Sequence, residues 1–260
     1  MLFAKEYIGA IGVGVTVPRL IRADDDETYV VKLKNNRLGT KVLVNEYIAS
    51  RIGQLTDLCF PRSDMMTLTE EFIKSSKRLV RARVIAGLHF ATYYLRDCKY
   101  VHHYHLQAVT NKQQFAGVML FDHLFHNGDR TLNGKNMLIR REIDGYRMYA
   151  IDNSHLFGSG RWEKENLAIM LNGVKLNKRR AYGTLLRHYL QEGDFVSYVE
   201  KFQTITKEQI EQIVDDIPEE WLSDIETRAE LKTFLLTRCK MAEEVAAMLT
   251  ASIPNVNGGS

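Results

Sequence analysis

The chain has 260 residues, 45% of them apolar, with 35 basic against 32 acidic side chains and a formal charge of +3. A chain of this length can bury a large core, and 26% charged residues with 4 prolines exclude a collagenous, low-complexity or membrane-embedded class. The near balance of charge leaves no broad basic footprint for nucleic acid, and Cys59, Cys98 and Cys239, far apart and without a Cys-x-x-Cys pair, exclude a zinc ribbon or dense disulfide framework and make reduced, cytoplasmic thiols the expectation.

The apolar run Ile8 to Val17 ends at Pro18-Arg19 with no small-residue cleavage site, so it reads neither as a signal peptide nor as a membrane span. With Arg19 to Ala23, the acidic turn Asp24 to Glu27 and the run Tyr29 to Lys34, it predicts a hairpin-rich sheet. Beyond Asn35-Asn36 the period changes. Val44, Tyr47, Ile48, Ile52 and Leu55 fall on one helical stripe, with Thr40 as the expected N-cap and Pro61 closing the unit. From about Phe72 the pattern is mostly helical, interrupted at Asn127 to Trp162 by strands and loops. Thr206-x-x-Gln209 and Ser223-x-x-Glu226 have the form of capping boxes. The expected division is a β-rich part at 1–62, a mainly helical part at 63–254 and a disordered tail at 255–260.

The chemistry gathers in the interruption. A loop rich in Asn, Gly and Asp, Asn127 to Asn136, runs into the apolar strand Met137-Leu138-Ile139, and Asp152-Asn153 follows a second strand, Tyr149-Ala150-Ile151. A hairpin turning near Asp144-Gly145 sets Asn136 at the start of one strand and Asp152 at the end of its partner, and antiparallel pairing makes those ends neighbours. A carboxylate and a carboxamide oxygen together suit Mg²⁺, which takes one or two protein ligands and leaves the rest to phosphate and water. Asn and Asp are also ordinary turn formers, so the loop alone is a weak signal. Glu46 lies off the large-apolar stripe of its helix on a row of small residues, and a carboxylate placed there requires a cationic partner. Lys32, 14 residues earlier, is the natural candidate.

The order Asp129-Arg130, then Asn136-Met137-Leu138, then Ile151-Asp152-Asn153 resembles the catalytic and metal loops of HipA-like atypical kinases, whose core is shared with phosphoinositide kinases. The glycine-containing hairpin, the strand Tyr29 to Lys32 and the helix containing Glu46 are similar to that family as well, so the likeness covers about Tyr7 to Trp221. The resemblance implies an α+β, bilobal protein-kinase-like fold, with a small β-rich lobe and a larger helical one. It implies an ATP- and Mg²⁺-dependent phosphotransferase whose acceptor is a hydroxyl, of protein serine or threonine in the family. It assigns Asp129 as catalytic aspartate, Asn136 and Asp152 as metal ligands, Lys32 as the phosphate-contacting lysine and Glu46 as its partner. Gly12, Val13 and Gly14 stand where a loop would cover the nucleotide, although Gly9-x-x-Gly12-x-Gly14 is neither Gly-x-Gly-x-x-Gly nor a Walker sequence. Thr131 replaces the family's histidine, whose role is vacant or passes to another residue such as His155, and Asn133 competes with Asn136 as ligand.

Two other classes compete. A pseudokinase, binding nucleotide or a partner without turnover, is favoured by Thr131 and the poor glycine loop and opposed by the retained Lys32, Glu46, Asp129, Asn136 and Asp152. A metal-dependent hydrolase would use His102, His103 and His105, or Asp122, His123 and His126, but no His-Glu-x-x-His signature supports it. The basic run Lys175, Lys178, Arg179 and Arg180 reads as a solvated loop that could attract an acidic substrate.

Overall fold

The computed structural model describes residues 1–12, 16–132, 134–177, 180–251 and 253. Val13, Gly14, Asn133, Lys178, Arg179 and the tail at 255–260 lie outside the described residues.

The chain opens with three antiparallel strands, β1 (Leu2–Ala10), β2 (Arg19–Ala23) and β3 (Thr28–Lys32), as the β-branched runs and the acidic turn predict. Helix α1 (Lys41–Thr56) follows. Thr40 does not cap it: its backbone is already helical at φ −75°, and its hydroxyl donates instead to the Trp221 carbonyl at 2.8 Å.

Strand β4 (Ser63–Leu68), helices α2 (Glu70–Ser75) and α3 (Lys77–Arg81), and strand β5 (Gly87–Tyr93) come next. The five strands close a barrel in the order β1-β2-β3-β5-β4, sealed by parallel pairing of Leu2 with Met66 and Phe3 with Thr67. Ile21, Val31, Met66, Leu68 and Ala91 fill its interior with no exposed surface. The sheet therefore runs past residue 62, and the expectation of helix from Phe72 onward is corrected at β5. A short apolar run such as Leu88 to Tyr93 carries no period that separates strand from buried helix. Hydrogen bonding to β3 on one side and β4 on the other decides it.

A second sheet contains β6 (Cys98–Tyr100), β7 (Met137–Glu142) and β8 (Gly145–Ala150). Between β6 and β7 lie α4 (Gln114–Leu124), buried along its length from Phe115, and the single turn α5 (Asp129–Leu132). The β7–β8 hairpin turns at Gly145, whose φ of 140° suits glycine. The rest is helical: α6 (Lys164–Met170), α7 (Arg180–His188), α8 (Gly193–Gln203), α9 (Lys207–Asp215), α10 (Ile225–Lys240) and α11 (Ala242–Thr250). Gly117 lets α4 and α8 approach, since a Cβ there would lie 2.3 Å from the Tyr198 ring. No described helix is long and apolar enough to cross a membrane.

The Thr206–Gln209 box forms as read: the Gln209 amide donates to Thr206 Oγ1 at 3.2 Å and the Thr206 amide to Gln209 Oε1 at 2.9 Å. The second start moves by one residue, because the Thr227 amide donates to Asp224 at 2.9 Å and Asp224, not Ser223, becomes the cap. A carboxylate there also complements the positive end of the helix.

The segment between α9 and α10 ties the barrel to the helices. Trp221 Nε1 donates to the Leu88 carbonyl at 3.0 Å, and the Leu88 amide donates to Glu220 at 2.7 Å. Lys34 at the end of the β3 run ion-pairs with Glu220, and the Trp221 ring meets Tyr47 of α1 edge-on at 6.5 Å. This cross-brace fixes α1 against both bodies.

Candidate active site

Lys32, the last residue of β3, is buried and donates to Glu46 of α1 and, at 2.6 Å, to Asp152 just after β8. Burial would by itself lower the lysine pKa, but the carboxylates of Asp152 and Glu46 outweigh it and hold the ammonium above its ordinary value. Burial likewise acts to raise Asp152, yet Lys32 and the Ser154 hydroxyl, which donates at 2.6 Å, bring its carboxyl well below the usual range. Glu46 is pushed up by burial against the pull of Lys32, and the Asn153 amide donates to it at 3.0 Å.

The hairpin does what its register requires. Met137 pairs with Ala150, and the Ile151 amide donates to the Asn136 carbonyl at 3.0 Å, so Asn136 and Asp152 flank one end. Asp152 holds a left-handed φ of 61°, a conformation that Asp tolerates better than most residues. Asn136 Nδ2 donates to Asp129 Oδ2 at 2.7 Å, and the His155 Nδ1 stands 3.8 Å from the same oxygen. Among the described residues, two oxygens carry no hydrogen bond, Oδ1 of Asn136 and Oδ2 of Asp152. This is a donor pair that suits a hard divalent cation. Asp129 remains 26% exposed and Asp152 34%, enough to reach a bound molecule.

Five residues expected from the sequence thus occupy two hydrogen-bonded groups, Lys32 with Glu46 and Asp152, and Asp129 with Asn136. The hairpin end joins them. Of the expected nucleotide-covering residues, Gly12 is in the β1–β2 connection, whose neck is closed by the Ile11 amide donating to the Pro18 carbonyl at 2.9 Å.

Sequence reasoning missed what holds the loop. Arg130 is fully buried. It donates through Nε to Asp122 at 2.7 Å, through Nη1 to the Ile151 carbonyl at 2.6 Å and through Nη2 to Asn153 at 2.5 Å. One guanidinium therefore clamps α4, the Asp129 turn and the segment after β8. Asp122 also accepts from Asn127 at 3.0 Å and from the Tyr182 hydroxyl. The available signal was an arginine directly after the loop aspartate, too common to identify a clamp. Asn45 in turn donates to the Ser154 carbonyl at 2.8 Å and accepts from Trp162 Nε1 at 2.7 Å, which ties α1 to the Asp152 segment.

Among the described residues, the clustered histidines are engaged elsewhere; the side chain of His103 lies outside the description. His123 Nδ1 lies 2.6 Å from the Met119 carbonyl, and its Nε2 accepts from the Asn177 amide at 3.0 Å. His105 Nδ1 accepts from the His102 amide at 3.1 Å. Among the described residues, no three His, Cys, Asp or Glu side chains are grouped to hold a metal.

The Helicobacter pylori proinflammatory kinase CtkA is similar in fold, with a TM-score of 0.58 at 14% identity over 96% of each chain. The Golgi casein kinase is similar as well: its structure with Mn/ADP bound gives 0.53 at 14% identity over 96% of this chain and 73% of that one, and a second structure gives 0.56 at 10% identity over 100% and 74%. The fold is thus kinase-like. The profile of the HipA-like kinases matches residues 5–246, and the chain belongs to that family. Family and fold together make it a kinase-type phosphotransferase. A search of curated protein sequences returns no significant match.

Proposed function

We propose that the protein is an ATP- and Mg²⁺-dependent kinase of two lobes, the barrel with α1 above and the helical part below, that phosphorylates serine or threonine in a protein. The observation that carries this reading is the buried Lys32, held by Glu46 and Asp152 beside the Asp129–Asn136 pair. The Golgi casein kinase structure with Mn/ADP bound supports a nucleotide with a divalent cation as the ligand.

In phosphoryl transfer the protein contributes positioning and charge rather than covalent chemistry. Lys32 presents its ammonium to the phosphates, and Glu46 keeps the lysine extended toward them. Asn136 and Asp152 would hold Mg²⁺, which when bound neutralises charge on the phosphate oxygens. Asp129 orients the acceptor hydroxyl and takes its proton. Arg130 and Asn45 act indirectly, by fixing the segments that carry Asp129 and Asp152.

The test is transfer of labelled γ-phosphate by the purified chain and by its Asp129→Ala and Asp152→Ala variants. Both variants should lose transfer while keeping the wild-type circular dichroism spectrum; full activity in either refutes the assignment. Titration with ATP and Mg²⁺ should raise the thermal midpoint, since a ligand at 100 times its Kd stabilises the folded state by about 2.7 kcal/mol. A shift without turnover would identify a pseudokinase.

A further inference from the structure

Beside the Asp129 group a cleft of about 810 Å³ opens into the helical part. Asp129 and His155 line it, whereas Lys32, Glu46, Asn136 and Asp152 do not. Its volume lies within the roughly 300–1,000 Å³ of pockets that take drug-sized ligands, room for several side chains rather than one. Ile169, Met170, Val174 and Leu176 form an apolar wall. Polar side chains line it as well: Asp122 is paired with Arg130, His123 is bonded to backbone groups, His126 Nε2 lies 3.2 Å from the Met170 carbonyl, and Asn127 Oδ1 is a buried acceptor without a partner among the described residues. Lys175 also lines the cleft. It is exposed and has no ion-pair partner among the described residues.

We infer that this cleft receives the acceptor, and that it selects a protein segment carrying an acidic side chain for Lys175 and an apolar side chain for the Ile169–Leu176 wall close to its hydroxyl. The inference rests on the phosphotransferase reading. In-line displacement requires the acceptor to approach the γ-phosphate opposite the leaving ADP, and the wall of this cleft is where Asp129 meets open space without the lysine and metal-binding side chains. The acceptor oxygen bonds to the γ-phosphorus, the bridging oxygen leaves with ADP and takes the electron pair of the broken bond, and the hydroxyl proton passes to Asp129. A passing chain suits the opening better than an enclosed metabolite does, because Ile169 stands on the rim 79% exposed and the apolar wall is continuous with solvent. Acidic recognition follows from charge: Lys175 is a cation without an ion-pair partner among the described residues, and complementary charge selects partners more than it adds affinity.

The experiment is phosphorylation of a positional-scanning library of Ser- and Thr-centred peptides by the full chain with ATP and Mg²⁺, with ADP release followed in parallel and a panel of small alcohols as alternative acceptors. The wild type should favour an acidic residue at one position and an apolar residue at another. Lys175→Glu should move the charged preference from acidic to basic by about tenfold, which corresponds to ~1.4 kcal/mol. Ile169→Asp should abolish the apolar preference. Both positions are exposed, so folding is not at stake. Unchanged peptide preferences in both variants, with ADP release intact, overturn the cleft assignment alone, as does phosphorylation of small alcohols without peptides. Absence of ADP release by the wild type with every acceptor overturns the phosphotransferase reading, and the cleft's role falls with it.

Discussion

Arg130 and Asp122 form an ion pair with both side chains withdrawn from solvent, and that pair joins the turn bearing Asp129 to the helix beneath it. A buried pair of this kind roughly breaks even against desolvation, but removing one partner leaves the other charged and unpaired. Arg130→Met should therefore cost about 3–5 kcal/mol of unfolding free energy. Arg130→Lys keeps the charge, yet a single ammonium cannot reach Asp122, the Ile151 carbonyl and Asn153 together, so its stability should fall between the two. Chemical denaturation measures both.

Lys32 and Glu46 should show strong energetic coupling. Lys32→Met leaves a buried carboxylate without its cation, and Glu46→Gln leaves Lys32 with Asp152 only. The double variant removes both charges from the buried pair and should be more stable than the sum of the two losses implies. A double-mutant cycle should return an interaction energy of about 0.5–3 kcal/mol, and strict additivity would contradict the geometry.

Acid should act through Asp152. Its folded pKa is depressed below the ordinary value of 3.8, so the stability it contributes is complete above that pH and is lost as the pH falls through the folded value. The gap in stability between the wild type and Asp152→Asn should be full at neutral pH and close below about pH 4. Lys32, raised above 10.5, contributes fully below that pH and loses its contribution only in stronger alkali. Denaturation midpoints collected across this range test both signs.

Trp221→Ala should cost about 3–5 kcal/mol, the range for a fully buried large aromatic, because it removes the Tyr47 contact and the bond to Leu88 together. It should also speed amide hydrogen exchange in α1 more than in α8, since the brace acts on α1.

Much of this arrangement was legible in the chain, for identifiable reasons. The period-2 runs on either side of Asp144-Gly145 fix a hairpin, and a hairpin fixes its ends, which is why Asn136 and Asp152 could be placed together without coordinates. The Lys32–Glu46 pair was legible because a carboxylate on a buried helical row has few ways to be satisfied. Strand β5 was not, since pairing with distant strands decides an aperiodic run. Arg130 was not either: its partners, Asp122, Ile151 and Asn153, come from three segments, and nothing local distinguishes it from a solvated arginine. The caps divide along the same line. Thr206 and Gln209 satisfy each other within one turn, while the hydroxyl of Thr40 is drawn off by Trp221, 181 residues away.

Closure of the N-terminal sheet has a consequence for how copies of this chain behave in a crowded solution. Because β1 is bonded to β2 on one side and, at Leu2 and Phe3, to β4 on the other, the start of β1 offers no dangling row of amides and carbonyls on which a foreign strand could template itself. The three-stranded sheet has its own margins, where β6 is three residues long with Lys99 at its centre, and β8 is partly shielded by the bridge from Val109 to Tyr146. Short, charged or covered margins of this kind discourage fibre growth.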